Sequence, residues 1–144
     1  MTIKIKKIRQ DAQIPFRATE NSAGADLFAL LDGDALLKGG GSFLVPTGVA
    51  VEIPPGYGGF VFPRSSLSSK HGVSLANCVG VIDADYRGEV KIPLINRGGD
   101  DYTIKNGDRI AQLVILPVAR ADFSETPELS DTGRGAGGFG STGR

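Results

Sequence analysis

Two aspartates one residue apart, followed by a tyrosine, stand in the segment Asp83-Ala84-Asp85-Tyr86-Arg87-Gly88, directly after the apolar run 79–82. A carboxylate held where a strand meets a turn can take a proton from water, and a nearby tyrosine can pack against a sugar. Aspartates are also common in hairpin turns, where they bond the local backbone, so the segment in isolation favours a plain turn over a base.

The stretch Pro63-Arg64-Ser65-Ser66-Leu67-Ser68-Ser69-Lys70-His71-Gly72 concentrates hydroxyls and cations behind an apolar strand. Such donors suit phosphate oxygens, although a polar surface turn opening a short helix would have the same composition. His71 is the sole histidine and Cys78 the sole cysteine; they cannot build a zinc site, and His71 reads as a structural residue. Two further segments are weak alone. Ser22-Ala23-Gly24-Ala25-Asp26-Leu27 reads as a glycine turn feeding a buried strand. Gly107-Asp108-Arg109-Ile110-Ala111-Gln112 reads as a hairpin turn before an interior strand in which Gln112 is the polar residue to be explained.

Near the C-terminus, Gly133, Gly135 and Gly138 match G-x-G-x-x-G formally. No strand leads directly into them and too little chain follows for a helix, which excludes a dinucleotide fold or a P-loop. A frayed terminus is the alternative. Glycines beside Arg134 can instead expose N–H groups to phosphate, and Phe139 offers a stacking face.

The elements that must position these groups are short. Glycine supplies 21 of the 144 residues and proline 8, spread along the chain. Ile3 and Ile5 alternate with lysines at strand period, and Ile8 falls out of phase. Apolar runs at 43–45, 49–53, 60–62, 73–75, 90–95 and 110–116 are each bounded by turn residues. That pattern predicts an all-β sandwich, jelly roll or barrel, with room for a helical turn at 65–71 and at 27–31. After Pro117 the chain turns acidic and loses apolar residues. We expect a β domain over 1–120, a linker over 121–132 and a glycine-rich C-terminal arm over 133–144. The 22 positions from Pro117 to Phe139 reach up to roughly 70 Å at ~3.3 Å per residue, enough to cross onto a neighbouring subunit.

Lysine plus arginine number 16, as do aspartate plus glutamate, so no overall field attracts nucleic acid or a membrane surface. The lone cysteine, the lysine-interrupted N-terminus and the absence of an apolar run near ~20 residues read as a soluble cytoplasmic chain.

Taken in order, five segments resemble the five motifs of the trimeric dUTPase family. They are SAGxDL at 22–27, PRSxLxxKxG at 63–72, GVIDxDYxG at 80–88, GDRIAQ at 107–112 and RGxGGFGSTG at 134–143. The resemblance implies a jelly-roll-like β fold with a flexible arm, and a homotrimer whose active sites each draw on three subunits. It also implies hydrolysis of dUTP to dUMP and pyrophosphate, which limits uracil in DNA and supplies dUMP.

By the same resemblance, Asp83 activates the water that attacks the α-phosphorus, and Tyr86 packs on the deoxyribose and excludes a 2′-hydroxyl. The hairpin at 77–83, helped by the Asn77 side chain, pairs with uracil. Arg64, Ser65, Ser66, Gln112 and Arg134 contact the triphosphate, and Phe139 stacks over the base. Mg2+ is held mainly by the phosphates, with Asp26 reaching one of its waters and Asp85 a second partner. Ser66 stands where the family often has glycine. A dCTP deaminase of the same fold and a non-catalytic dUTP-binding protein are the competing readings. The Asp83-Ala-Asp-Tyr sequence favours triphosphate hydrolysis over deamination, and the presence of Asp26, Arg64, Asp83 and a complete tail argues against lost activity.

Overall fold

In the computed structural model, which describes residues 1–138, the chain runs through β1 (Lys4–Lys7), β2 (Ala25–Phe28), β3 (Ala35–Leu37), β4 (Ser42–Pro46), β5 (Val49–Glu52) and β6 (Tyr57–Pro63). It continues through α1 (Ser65–His71), β7 (Val73–Leu75), β8 (Gly80–Ile82), β9 (Lys91–Asn96), β10 (Tyr102–Ile104) and β11 (Arg109–Pro117). The strands form a four-stranded sheet ordered β2-β11-β6-β8, a three-stranded sheet ordered β4-β9-β7, and the pairs β1-β5 and β10-β3, with every pairing antiparallel.

Side-chain alternation decides what each strand buries. On β9, Ile92, Leu94 and Asn96 point inward; on β11 and β6, Ala111, Leu113 and Val61 do so. All of these but Asn96 join Leu27, Leu37, Val45, Val51, Ile53, Leu75, Ile82, Ile104 and Ile110 in one cluster drawn from all four sheets, as an all-β sandwich requires. Each such aliphatic chain, withdrawn from water, contributes about 1.5–3 kcal/mol. Asn96 is buried without penalty. Its Nδ2 donates to the carbonyls of Leu37 (3.1 Å) and Asp100 (2.8 Å), and its Oδ1 accepts from the Gly98 amide (2.9 Å), which pins the loop after β9 to the core.

The helical turn expected at 65–71 is α1, closed by Gly72 in the left-handed region at φ 67°. That expected at 27–31 is absent: Leu27 and Phe28 lie in β2, because pairing with β11 satisfies this backbone better than an isolated turn. His71 packs at 5.0 Å, ring to ring, on Tyr102, a structural role as read from the sequence. Burial, reinforced by the Asp108 carboxylate, pushes the Tyr102 hydroxyl up, so it stays a neutral phenol.

Beyond β11 the backbone is irregular, and residues 116–136 are exposed without interruption, including Phe123 and Leu129. No helix among the described residues is long and apolar enough to cross a membrane.

Candidate active site

The polar segments collect into two clefts. The first lies beside β8, where the chain leaves β7 through a tight reversal. The Cys78 amide donates to the Leu75 carbonyl (3.3 Å) and the Val79 amide to the Asn77 carbonyl (2.7 Å), which forces Cys78 to φ 62°. A side-chain-bearing residue in that region costs of order 1–3 kcal/mol, and such strain collects where a ligand is gripped. The reversal brings Asn77 and Gly80 to a cleft also walled by Leu75, Val81, Asp83, Tyr86 and Glu89.

Asp83 is exposed at the end of β8, its carbonyl accepting from the Tyr86 amide (3.1 Å) to close a turn. Its carboxylate enters none of the ion pairs among the described residues and is free to meet a water. Asp85 is exposed on the same turn and does not line this cleft.

The second cleft sits on the outer face of the four-stranded sheet, where β2, β11 and the start of α1 converge. Asp26, Arg64, Ser65, Ser66 and Gln112 line it with Ser22, Gly24 and Arg109. Pairing of β11 with β2 and β6 sets Gln112 opposite both Asp26 and Phe62. The amide that sequence reasoning left to be explained donates from Nε2 to the Pro63 carbonyl at 3.1 Å. Gly24 makes room for it: a Cβ there would stand 2.7 Å from Gln112 Oε1.

Asp26 holds two guanidiniums at once. Arg64 Nε lies 3.1 Å from Oδ1 and Arg109 Nη1 lies 3.1 Å from Oδ2, while Arg64 Nη1 donates to the Arg109 carbonyl at 3.1 Å. Two cations against one carboxylate leave a net positive cleft with donors fixed in direction, which suits a phosphate chain.

Sequence reasoning left Arg109 without a role. Strict alternation along β11 would send it to the core side with Ala111 and Leu113. A register shift between Arg109 and Ala111 re-aims it outward, and no residue pattern announces that bulge.

The two clefts share no lining residue. Between them on the outer sheet face runs an apolar stripe, Val81 opposite Phe60 and Phe60 opposite Val114, with Leu116 beyond. Arg134 lines neither cleft; it lies on the exposed arm, its Nε donating to the Gly137 carbonyl at 2.7 Å. Phe139 lies outside the described residues.

Comparison with known proteins converges on one family. The dUTPase family model matches residues 10–143. A deoxyuridine 5′-triphosphate nucleotidohydrolase of Syntrophotalea carbinolica is 50% identical over 143 residues, 99% of this chain and 97% of that protein. One from Neisseria gonorrhoeae is 49% identical over 142 residues, covering 98% and 95%. Among solved structures, a mutant dUTPase of Staphylococcus bacteriophage 80alpha with dUpNHpp superposes with a TM-score of 0.91 at 30% identity, covering 99% of each chain. A mutant dUTPase from phage phi11 of S. aureus, described for its coordination of a structural Mg(II) ion, gives a TM-score of 0.80 at 28% identity, covering 89% of this chain and 98% of that one.

Proposed function

The chain belongs to the dUTPase family, and from that premise we propose that it hydrolyses dUTP to dUMP and pyrophosphate, limiting uracil in DNA and supplying dUMP. The observation that carries the reading is the complementary chemistry of the clefts. One presents an exposed carboxylate beside a tyrosine, and the other holds two guanidiniums on a single aspartate.

Asp83 orients a water and takes its proton as the oxygen attacks the α-phosphorus; pyrophosphate leaves with the electrons of the broken P–O bond. Such a displacement needs little covalent help, so positioning the water and offsetting charge on the phosphate oxygens supply most of the acceleration. Arg64, Ser65, Ser66, Gln112 and Arg134 serve the second need, and we add Arg109 to them. The hairpin at 77–83 and the Asn77 side chain read uracil. Cytosine exchanges donor for acceptor on that edge and would leave buried groups unpaired, a mismatch worth up to ~10⁴-fold. Tyr86 packs on the deoxyribose, and Phe139 on the base.

Mg2+ fits this donor set only as an ion carried in by the triphosphate. No group of three or more His, Cys, Asp or Glu residues among the described residues could hold a metal, and both Asp26 oxygens already face arginines. Each oxygen keeps a lone pair for a metal-bound water, so Asp26 would be an outer partner. When bound, the ion neutralises charge on the non-bridging oxygens.

The working unit is a homotrimer. Asp83 and Arg64 must meet one nucleotide yet line separate clefts, and the apolar stripe through Phe60, Val81 and Val114 needs a cover that a second copy supplies. Residues 121–132 then act as a linker, and the arm from 133 closes a neighbour's site. An exposed thiol at Cys78 suits a reducing, cytoplasmic compartment.

Incubating the purified protein with dUTP, dCTP, dTTP and UTP in turn, with and without Mg2+, tests the assignment. Pyrophosphate and dUMP from dUTP alone, dependent on the metal, support it; ammonia from dCTP, or tight dUTP binding without turnover, overturns it.

A further inference from the structure

Rejection of a ribonucleotide by a packed ring requires that the ring not move aside. A side chain displaced ~30° from its rotamer costs too little by itself to keep out one hydroxyl strongly. Tyr86 is also nearly half exposed, at 45%, so packing alone does not immobilise it. Its bracing is therefore informative.

The Tyr86 hydroxyl donates to the Glu89 carbonyl at 3.0 Å, which folds the phenol back over the turn that carries it. The fold-back passes over Gly88. A Cβ at that position would collide with the Tyr86 hydroxyl oxygen and stand 2.6 Å from Cζ and 3.0 Å from Cε2. Gly88 is not among the glycines of positive φ, so its backbone would accept any L-residue, and the need for glycine here is purely one of space for the ring.

The far end of the brace is anchored in turn. Glu89 is half-buried; its Oε1 accepts from the Gly48 amide at 2.8 Å, and its Oε2 lies 3.5 Å from Lys91 Nζ. The next residue is tied to the same turn between β4 and β5, with Thr47 Oγ1 donating to the Val90 carbonyl and the Val90 amide to the Val49 carbonyl at 2.9 Å. On the near side, Arg87 Nη1 donates to the carbonyls of Ala84 (2.7 Å) and Tyr86 (2.9 Å). The Tyr86 ring is thus held through Glu89 to the rigid β4–β5 turn.

We propose that Gly88 and Glu89 are positioning residues for sugar selection: Gly88 leaves the space in which the Tyr86 phenol reaches the Glu89 carbonyl, and the Glu89 carboxylate fixes that carbonyl to Gly48. This rests on the dUTPase reading above and on Tyr86 as its sugar platform. Glu89 faces the nucleotide cleft, yet its carboxylate serves the protein and not the ligand.

The test is the ratio of kcat/KM for dUTP to that for UTP, a readout that general destabilisation does not move in one direction. Gly88→Ala should lower the ratio at least fivefold, chiefly through faster UTP cleavage. Glu89→Ala should lower it similarly, and Glu89→Gln, which keeps an oxygen for the Gly48 amide, should restore most of it. Should Gly88→Ala not fold, Tyr86→Phe removes only the anchoring hydroxyl and should give the same loss of discrimination. Ratios within twofold of wild type in Glu89→Ala, and in Gly88→Ala or its Tyr86→Phe substitute, overturn the proposal while leaving dUTP hydrolysis intact. A wild-type protein inactive on dUTP overturns the underlying reading and this proposal with it.

Discussion

Asp83 and Arg64 lie in two clefts of one chain that have no lining residue in common. In the shared site proposed above, one copy supplies Asp83 and another Arg64 to the same nucleotide. Mixing then becomes diagnostic. Asp83→Asn and Arg64→Ala should each be nearly inactive alone. Dissociated and reassembled together, they should regain activity, because about a quarter of the sites in randomly mixed oligomers receive both intact groups. Stopped turnover in the mixture would mean that each chain builds its site alone.

Asp83→Asn should lower kcat by at least about 10²-fold, the usual cost of losing a general base, with KM for dUTP little changed. Steady-state pyrophosphate release measures this. Retention of most of the turnover would remove Asp83 from the role of base.

Gly24→Ala should act through Gln112. The added Cβ meets Gln112 Oε1 at 2.7 Å and Gln112 Cβ at 3.1 Å, so the amide must leave its place beside the Pro63 carbonyl. We expect KM for dUTP to rise about tenfold, as for one lost hydrogen bond to a charged group, with thermal unfolding shifted only slightly. An unaltered KM would show that Gln112 does not touch the substrate.

Removing the chain from Gly133 onward should abolish turnover yet leave the oligomer intact, as read by light scattering beside the activity assay. The described part of the deleted segment, 133–138, adds nothing to the core cluster, so its loss has no route to the β domain. Dissociation on truncation would make the arm a structural strap.

Much of this was legible in the residues because local chemistry and tertiary demand agree there. The apolar run 110–116, broken only by Gln112, lies in β11, the serine-rich stretch becomes α1, and Gln112 proves to be the polar residue with a job. Legibility fails where pairing, not pattern, decides. β3 and β10 are three residues each and exist because each completes the other's hydrogen bonds. Leu27 and Phe28 could be read as the buried strand after a glycine turn or as room for a helical turn, and pairing with β11 decides for the strand. Arg109 reaches the second cleft through a bulge, and the Glu89 carbonyl holds the Tyr86 hydroxyl through a main-chain atom that carries no sequence signature.

If an Asp83-activated water attacks the innermost phosphorus, the oxygen of that water ends in dUMP. Turnover of dUTP in water enriched in heavy oxygen, with mass analysis of both products, addresses it directly. One heavy oxygen should enter dUMP and none pyrophosphate, and Asp83→Asn should lose the product. Label in pyrophosphate would place the attack on another phosphorus and rule out an Asp83-activated water at the innermost one.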